Sequence, residues 1–477
     1  MKQFHSTIQF VFSLLLISIF ISCGGDDNVE VEQPGEQELT IFFTNDMHGR
    51  LDNFSKIKHI VDTEKETTDV LLVSGGDIFS GNPIVDQYSD KGYPIIDLMN
   101  KTGYDVSVIG NHEFDYGLSI LNDRLDQATF EWVCANVDAS SSVLNQPDPY
   151  ITLTVGDLTV TILGLVETNG KPDDVIPSTH PWRVADLMFQ EHSSVIPQYE
   201  DLKEQEEADL LMALTHLGSN SDFSIANTFP WFDLIIGGHS NDLNEGTVNG
   251  IPVLMAGFNL SHLGKIELTI EDKEIVSYNV TLIPLDTYEG QDDELAAVIE
   301  AYNNTPEFSE VVGFANSYHD RTELGCFYTA ALKEYMQVDV SFQNSGGIRA
   351  DIDEGDITTF EIFSMDPFNN GSVVFTMTAA EVKEFFISAG RGFYVSGITM
   401  VRSDDAIIMY DENGVEIDNA TTLTIGINDF IPALYENYFP FANAEVRELT
   451  TAESLVQYLK TINSTVDYEG CNNYFRY

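Results

Sequence analysis

The first half of the chain is organised around short apolar runs that recur at intervals and end in polar loops. Most of these runs are four to seven residues long and rich in Val, Ile and Leu, as buried strands are. Helix-like polar stretches separate several of them, and this alternation predicts a layered α/β domain. The predicted strands are residues 39–44, 70–74, 106–109, 160–166, 210–215, 234–236 and 251–255.

Asp, His or Asn residues follow five of these predicted strands, most of them beside glycine. Open α/β sheets place their sites at the carboxyl ends of strands, and glycine allows a tight turn next to a ligand. A single Asp at a strand end is more often a turn former, and a single His is more often structural. The prediction therefore depends on their joint occurrence, in residues 45–49 (NDMHG), 75–77 (GGD), 110–115 (GNHEFD), 215–218 (THLG) and 237–241 (GGHSN).

Mixed imidazole, carboxylate and amide donors suit a pair of divalent cations, with zinc or manganese favoured over calcium. Two such cations about 3.5–4 Å apart activate water and neutralise phosphoryl oxygens, which is what phosphate-ester hydrolysis requires. The formal net charge of −55 argues against binding of nucleic-acid polymers, whose phosphates would be repelled. A small phosphate ester would also need local positive charge, and bound cations would supply it.

The motifs together resemble a known family. Residues 44–49 (TNDMHG), 76–77 (GD), 110–117 (GNHEFDYG) and 238–240 (GHS) are similar to the calcineurin-like metallophosphoesterase signature. More narrowly, residues 39–447 resemble the 5'-nucleotidases, a family of secreted bacterial and animal enzymes. This resemblance implies an α/β (α+β) protein with a four-layer α/β/β/α metallophosphoesterase domain and a smaller mixed α/β C-terminal nucleotide-binding domain.

The resemblance also implies seven metal ligands. Asp46 and His48 would hold the first cation, Asp77 would bridge, Asn111, His216 and His239 would complete the second site, and Asn241 would take the remaining first-metal position. The family usually carries His or Gln where Asn241 stands. An Asn amide can coordinate a cation, but its side chain is one methylene shorter than that of Gln.

His112 and Asp115 resemble the catalytic dyad of the family. An imidazolium oriented by a carboxylate can stabilise the phosphoryl oxygens of the transition state or protonate the leaving alkoxide. Their three-residue spacing permits contact if the segment begins a helical turn. The alternative is that His112 is a further ligand or a structural residue.

Residues of the second half match the part of the family that binds the nucleoside. Arg349 would grip the substrate anion, a role that suits guanidinium geometry. The remaining matches are Phe368 and Phe430 as the two rings around the base, Asn370 and Gly392 near the base, Arg321 for an upstream arginine, and Glu436 for an Asp in a loop that reads LYENY here. The family usually has a Gly-rich run at that loop, so the base specificity stays open.

We expect residues 1–22 to be a signal peptide, 23–37 an acidic tether, 38–285 the metallophosphoesterase domain, 286–312 a helical linker and 313–477 the C-terminal substrate-binding domain. The apolar run of residues 10–21 is too short to span a bilayer. Cys23 after a small residue favours a lipid-anchored, exported protein in the periplasm or at the cell surface, with ordinary secretion as the alternative. A monomer is expected.

Export makes one disulfide possible among Cys134, Cys326 and Cys471. Cys134 lies in a strand-like run and is expected to be a buried free thiol. A bond between Cys326 and Cys471 is then one option, which the sequence does not decide.

The expected activity is hydrolysis of nucleoside 5'-phosphates to nucleoside and phosphate. One alternative is hydrolysis of 2',3'-cyclic nucleotides, UDP-sugars or nucleotide pyrophosphates at the same metals. Another is a non-catalytic surface lipoprotein that uses the scaffold only for binding. The full ligand set and the pair of His112 and Asp115 argue against the last of these.

Overall fold

The computed structural model describes residues 35–404, 406–462 and 465–477. The predicted signal peptide, Cys23 and nearly all of the predicted tether lie outside the described residues. Among the described helices, none has the length and apolarity needed to cross a bilayer.

The first half alternates strands and helices. Its strands are β1 (Gln37–Thr44), β2 (Val70–Ser74), β3 (Val106–Val108), β4 (Glu131–Val133), β5 (Val137–Asp138), β6 (Tyr150–Val155), β7 (Leu158–Val166), β8 (Met188–Phe189), β9 (Leu210–His216), β10 (Leu234–Ile236), β11 (Leu243–Val248), β12 (Ile251–Ala256), β13 (His262–Glu271) and β14 (Glu274–Pro284). Its helices are α1 (Phe54–Glu64), α2 (Pro83–Asp86), α3 (Tyr93–Thr102), α4 (Leu118–Gln127), α5 (His192–Val195), α6 (Leu202–Gln205), α7 (Ser219–Thr228) and α8 (Asp293–Asn303).

Two six-stranded sheets form the centre of this half, in the orders β14-β13-β1-β2-β3-β4 and β11-β12-β10-β9-β7-β6. They pack face to face, because apolar side chains from both sheets share one buried core. Helices cover the outer face of each sheet and close two further cores. The α/β/β/α layering expected from the resemblance is confirmed.

Strand β1 shows why the sequence favours this arrangement. Ile41 and Phe43 point into the core between the sheets, whereas Phe42 faces the core beneath the helices. Both faces are buried, so the strand reads as a continuous apolar run rather than an alternating one. Strands β1, β2 and β3 are parallel, as are β7, β9 and β10, so their polar loops meet at one edge.

The second half is a mixed sheet in the order β23-β18-β22-β16-β19-β25, with helices on both faces, and a small sheet β17-β15-β24. The strands are β15 (Val311–Ala315), β16 (Val340–Asn344), β17 (Gly355–Thr358), β18 (Gly371–Thr378), β19 (Phe393–Ser396), β20 (Ile398–Ser403), β21 (Ala406–Asp411), β22 (Thr422–Asn428), β23 (Glu445–Thr450), β24 (Thr465–Val466) and β25 (Tyr474–Phe475). The helices are α9 (Arg321–Met336), α10 (Thr359–Met365), α11 (Ala379–Ser388), α12 (Phe430–Leu434) and α13 (Thr451–Ile462).

The sequence pattern predicts a helix over residues 329–336, but helix α9 begins earlier, at Arg321. Asp320 accepts hydrogen bonds from the backbone of the first turn, and Glu323 caps in return, so this capping box fixes the start. The Gly and Cys in its first two turns had obscured the helical pattern. Gly325 is needed there because a Cβ would lie 2.3 Å from the ring of Tyr394.

Cys326 of α9 forms a disulfide with Cys471 near the end of the described chain, and Cys134 is a buried free thiol. The bond spans 145 residues of sequence. It fastens the C-terminal segment, including β25, to the second half.

Replacing both cysteines of this bond by serine should lower the free energy of unfolding by about 2–5 kcal/mol, because the bond restricts a long loop in the unfolded chain. Thermal unfolding of the Cys326→Ser, Cys471→Ser variant against the oxidised parent measures this. Reductant should lower the melting temperature of the parent and leave that of the variant unchanged. Equal melting temperatures for parent and variant would contradict it.

Candidate active site

Asp77 lies where two groups of possible metal-binding side chains meet. One group is Asp77 with His48 and His112, and the other is Asp77 with His216 and His239. Within each group the nearest donor atoms all lie within 4.8 Å of one another. One carboxylate shared by two imidazole sets has the donor chemistry expected of a bridged pair of cations.

Hydrogen bonds to backbone carbonyl oxygens orient two of these imidazoles. His216 Nδ1 lies 2.7 Å from the carbonyl oxygen of Gly75, and His48 Nδ1 lies 3.2 Å from that of Ser80. If each Nδ1 donates its proton to that carbonyl, Nε2 is left with a free lone pair. His216 Nε2 is 3.0 Å from Asp77 Oδ2.

Asn111 and Asp46 complete the arrangement. Asn111 Oδ1 lies 2.9 Å from His239 Nδ1 and 3.2 Å from His216 Nε2. Asp46 is buried and accepts a 3.0 Å hydrogen bond from the backbone N–H of His239. Asp46 Oδ1 is 4.0 Å from His48 Nε2. These contacts join loops from both sheets.

The backbone is left-handed at five of the seven residues that the resemblance assigns as ligands. The φ angles are 50° at Asp46, 48° at His48, 54° at Asp77, 80° at His239 and 58° at Asn241. Asp, Asn and His tolerate this region better than most residues, but each such residue still carries a cost of order 1–3 kcal/mol. The surrounding hydrogen bonds hold these conformations.

Two glycines allow the loops to approach one another. A Cβ on Gly110 would lie 2.4 Å from Asp77 Oδ1, and one on Gly238 would lie 2.4 Å from the carbonyl oxygen of Gly75. Any side chain at either position would push the loops apart.

Glu113 fixes the two loops that carry Asp77 and Asn111. Its buried carboxylate accepts hydrogen bonds from the backbone N–H groups of Asp77 (3.0 Å), Ile78 (2.6 Å) and Gly110 (2.5 Å). Burial and the nearby Asp77 raise the pKa of Glu113 to about 7. Glu113 was not among the predicted site residues, although it lies inside the motif at residues 110–115.

Electrostatics point to a deficit of positive charge. Burial raises the pKa of Asp46 to about 6. Burial opposes ionisation of Asp77 too, but His216 and His112 outweigh it and hold the pKa of Asp77 well below its usual value. Burial would lower the pKa of His216, yet Asp77 and Asp46 raise it to about 10. Two buried carboxylates thus attract a proton that a divalent cation would replace.

His112 and Asp115 are in contact. The five-residue 3₁₀ helix His112–Tyr116 brings His112 Nδ1 to 2.6 Å from Asp115 Oδ2, while His112 Nε2 lies 3.9 Å from Asp77 Oδ2. Burial opposes the charge of Asp115, but His112 and Arg183 lower its pKa overall. The imidazole is therefore oriented by a carboxylate on one side and faces the metal-binding groups on the other.

A cavity of about 450 Å³ opens from these groups toward the second half of the chain. Five of the predicted substrate-binding residues line it: Arg349, Phe368, Asn370, Gly392 and Phe430. The Phe368 ring stacks on His112 with 5.7 Å between centroids, and the Arg349 guanidinium lies 5.8 Å from the Phe368 ring centre.

The other two predicted substrate-binding residues, Arg321 and Glu436, are not part of the described lining of this cavity. Arg321 lines a second cavity of about 450 Å³, which also contains Arg50 and shares His48, Asn241 and Arg349 with the first. Asn241 is solvent-exposed at the junction of the two cavities. Glu436 is outside the described lining of either cavity, and its carboxylate pairs with Lys171 at 3.1 Å.

Residues 178–183 contribute lining that the sequence analysis missed. Thr179 Oγ1 donates a 2.8 Å hydrogen bond to Asp115 Oδ1, and Arg183 Nη1 lies 3.7 Å from the same oxygen. His180 also lines the cavity. These residues lie in a short segment without periodicity that ends in the 3₁₀ helix Pro181–Arg183, so nothing in the sequence pattern distinguished them.

The chain matches two families in succession. Residues 39–242 match the calcineurin-like phosphoesterases, and residues 302–441 match the 5'-nucleotidase C-terminal domain. Together these matches cover both sides of the cavity.

Sequence similarity to characterised proteins covers most of the chain as well. The trifunctional nucleotide phosphoesterase protein YfkN of Bacillus subtilis is 29% identical over 498 residues, which is 88% of this chain and 33% of that protein. The chain thus spans only about a third of that relative's length. A 5'-nucleotidase of Vibrio cholerae is 24% identical over 483 residues, covering 84% of this chain and 85% of that one.

Among solved structures, the 5'-nucleotidase precursor from Thermus thermophilus superposes with a TM-score of 0.78 at 23% identity. The superposition covers 90% of this chain and 97% of that one, and it shows a shared fold. The chain therefore has the two-domain organisation of the 5'-nucleotidase family, with a calcineurin-like phosphoesterase domain followed by a 5'-nucleotidase C-terminal domain.

Proposed function

We propose that this protein hydrolyses nucleoside 5'-phosphates to nucleoside and phosphate with the aid of two divalent cations. The observation that carries the proposal is the position of Asp77 between two imidazole groups, with the Phe368-lined cavity opening beside it. The names of the relatives support the same substrate class.

The donor set fits two cations. Asp46 and His48 would hold the first, Asp77 would bridge, and Asn111, His216 and His239 would hold the second, with Asn241 in the remaining position. Nitrogen and oxygen donors in this mixture suit zinc or manganese. When bound, such a pair supplies an activated water and offsets charge on the phosphoryl oxygens.

The chain's own side chains then act on the substrate. His112, oriented by Asp115, would hold a proton on Nε2 toward the phosphoryl oxygens or the leaving alkoxide. Arg349 would bind the substrate anion through its forked guanidinium. Phe368 and Phe430 would stack on the base, at about 1–3 kcal/mol per stack. Asn370 and Gly392 would border the base.

A second candidate is hydrolysis of phosphodiesters or pyrophosphates, and the second cavity favours it. This cavity adjoins the metal-binding groups through His48 and Asn241, and it places Arg50 and Arg321 beyond them. A monoester carries an organic group on one side of phosphorus only, whereas a nucleoside diphosphate ester would occupy both cavities. Arg321, and less directly Glu436, would then affect substrate choice.

The same proposal places the enzyme outside the cytoplasm as a monomer, exported by residues 1–22 and attached to a membrane by lipid on Cys23. It also keeps the predicted boundaries of the two domains, 38–285 and 313–477, and of the linker at 286–312.

Glu113→Gln should weaken metal binding about 10- to 100-fold, because an amide can turn an N–H group toward the N–H groups of Asp77 and Gly110 and loosen both loops. Titration of the metal-free protein with zinc or manganese measures this. Glu131→Gln, at an exposed position of β4, is the matched control and should bind like the parent. An unchanged metal affinity in Glu113→Gln would show that Glu113 does not position the metal-binding loops.

The proposed activity is tested by phosphate release from nucleoside 5'-phosphates with added zinc, manganese or cobalt. A chelator should abolish turnover, and readdition of metal should restore it. His112→Ala should lower kcat about 10²- to 10⁴-fold while the metal content is retained, because general acid–base help is lost but the ligands remain.

Two outcomes would contradict this account. Absence of turnover with all three metals would favour the non-catalytic binding protein. Release of nucleoside monophosphate from nucleoside diphosphate esters, much faster than phosphate release from nucleoside 5'-phosphates, would favour the second candidate.

A further inference from the structure

One loop of the phosphoesterase half contacts both the catalytic pair and the aromatic end of the cavity. We term residues 168–183 the strap; it follows β7 and leads toward β8. Four of its residues line the cavity: Ser178, Thr179, His180 and Arg183.

On one side, the strap holds residues of the proposed catalytic centre. The carbonyl oxygen of Ser178 accepts a 3.1 Å hydrogen bond from Asn111 Nδ2. Thr179 Oγ1 donates to Asp115 Oδ1 at 2.8 Å, and Arg183 Nη1 lies 3.7 Å from that same oxygen. The other oxygen of Asp115 lies 2.6 Å from His112 Nδ1 and accepts a 2.7 Å hydrogen bond from Ser80 Oγ.

On the other side, the strap contacts the end of the cavity that is lined by Phe368 and Phe430. Arg183 Nη2 donates a 2.7 Å hydrogen bond to the carbonyl oxygen of Phe368. His180 Nε2 lies 3.4 Å from Asp429 Oδ1, and its ring centre is 5.9 Å from that of Phe430. The strap therefore contacts both residues assigned to the base, Phe368 through its backbone and Phe430 through its ring.

We propose that Arg183 is a positioning residue that links docking of the nucleoside to the orientation of the pair His112 and Asp115. The proposal rests on the proposed function. A base stacked on Phe368 would fix the backbone of residues 366–370. The carbonyl oxygen of Phe368 in this segment accepts the hydrogen bond from Arg183 Nη2. The other terminal nitrogen of the guanidinium, Arg183 Nη1, would then hold Asp115 in contact with His112. Binding energy from the nucleoside would thereby be used at the reacting phosphate.

A purely structural role is the competing explanation, in which Arg183 only joins the two halves. Lys171 provides the matched case. It lies on the same strap and reaches Glu436 of the second half at 3.1 Å, but it contacts neither Asp115 nor the described lining of the cavity. Loss of a bridge between the halves can therefore be separated from loss of the link to the catalytic pair.

The test compares Arg183→Met and Lys171→Met in the full metal-loaded enzyme with two substrates. A nucleoside 5'-phosphate engages the aromatic end, whereas p-nitrophenyl phosphate lacks a nucleoside. Arg183→Met should lower kcat for the nucleotide about 10- to 100-fold with KM changed less than about threefold, as expected for loss of an ionic contact that acts in the transition state. Its kcat for p-nitrophenyl phosphate should fall much less, and Lys171→Met should keep the parental kcat for both.

Arg183→Lys should recover only part of the loss. A single ammonium group cannot contact both the carbonyl oxygen of Phe368 and Asp115 Oδ1, as the two terminal nitrogens of a guanidinium do. A rise in KM alone, equal loss for both substrates, full recovery in Arg183→Lys, or the same loss in Lys171→Met would overturn the proposal. Failure of the proposed function looks different: the unmodified enzyme would then hydrolyse p-nitrophenyl phosphate but no nucleotide.

Discussion

Burial of Asp46 and Asp77 at the junction of two sheets is the constraint on which the rest of the site depends. Moving a carboxylate out of water costs several kcal/mol unless it is paired. Here the described partners are imidazoles and backbone N–H groups, together with Asn45, whose amide donates to Asp46 Oδ2 at 2.7 Å. A pair of divalent cations would offset both charges at once. The left-handed loops, the close glycines and Glu113 all serve to keep these carboxylates together.

The same constraint explains how the two sheets are locked. Asn45 follows β1 of the first sheet, yet its Oδ1 accepts a 2.7 Å hydrogen bond from Ala256 N of β12 in the second sheet. Its Nδ2 donates to the carbonyl oxygen of Gly257 at 2.6 Å. The site is therefore assembled across the interface between the sheets, and the buried core between them is what positions it.

Much of this could be predicted from the sequence. The strands β2 and β10 have the predicted bounds, because buried parallel strands are continuous apolar runs bounded by polar loop residues. The five polar loops could be predicted in the same way, since each directly follows an apolar run. The start of α9 was missed because its Gly and Cys broke the helical pattern, and the capping box at Asp320 was overlooked.

The contacts made by the strap could not be predicted, for a physical reason. Arg183 meets Phe368 across 185 residues of sequence, and this contact depends on how the two halves pack, not on local pattern. The role of Glu113 is similar, since its partners Asp77 and Ile78 lie on another loop. Residue types within a motif indicate chemistry, whereas positioning depends on tertiary contacts. The link between nucleoside and catalytic pair rests on such contacts.

The most direct test of the central claim is the number and spacing of the bound cations. A crystal structure of the zinc- or manganese-loaded protein, with anomalous scattering to locate the metals, should show two cations about 3.5–4 Å apart with Asp77 between them. One cation per chain, or two cations of which Asp77 binds neither, would contradict the account.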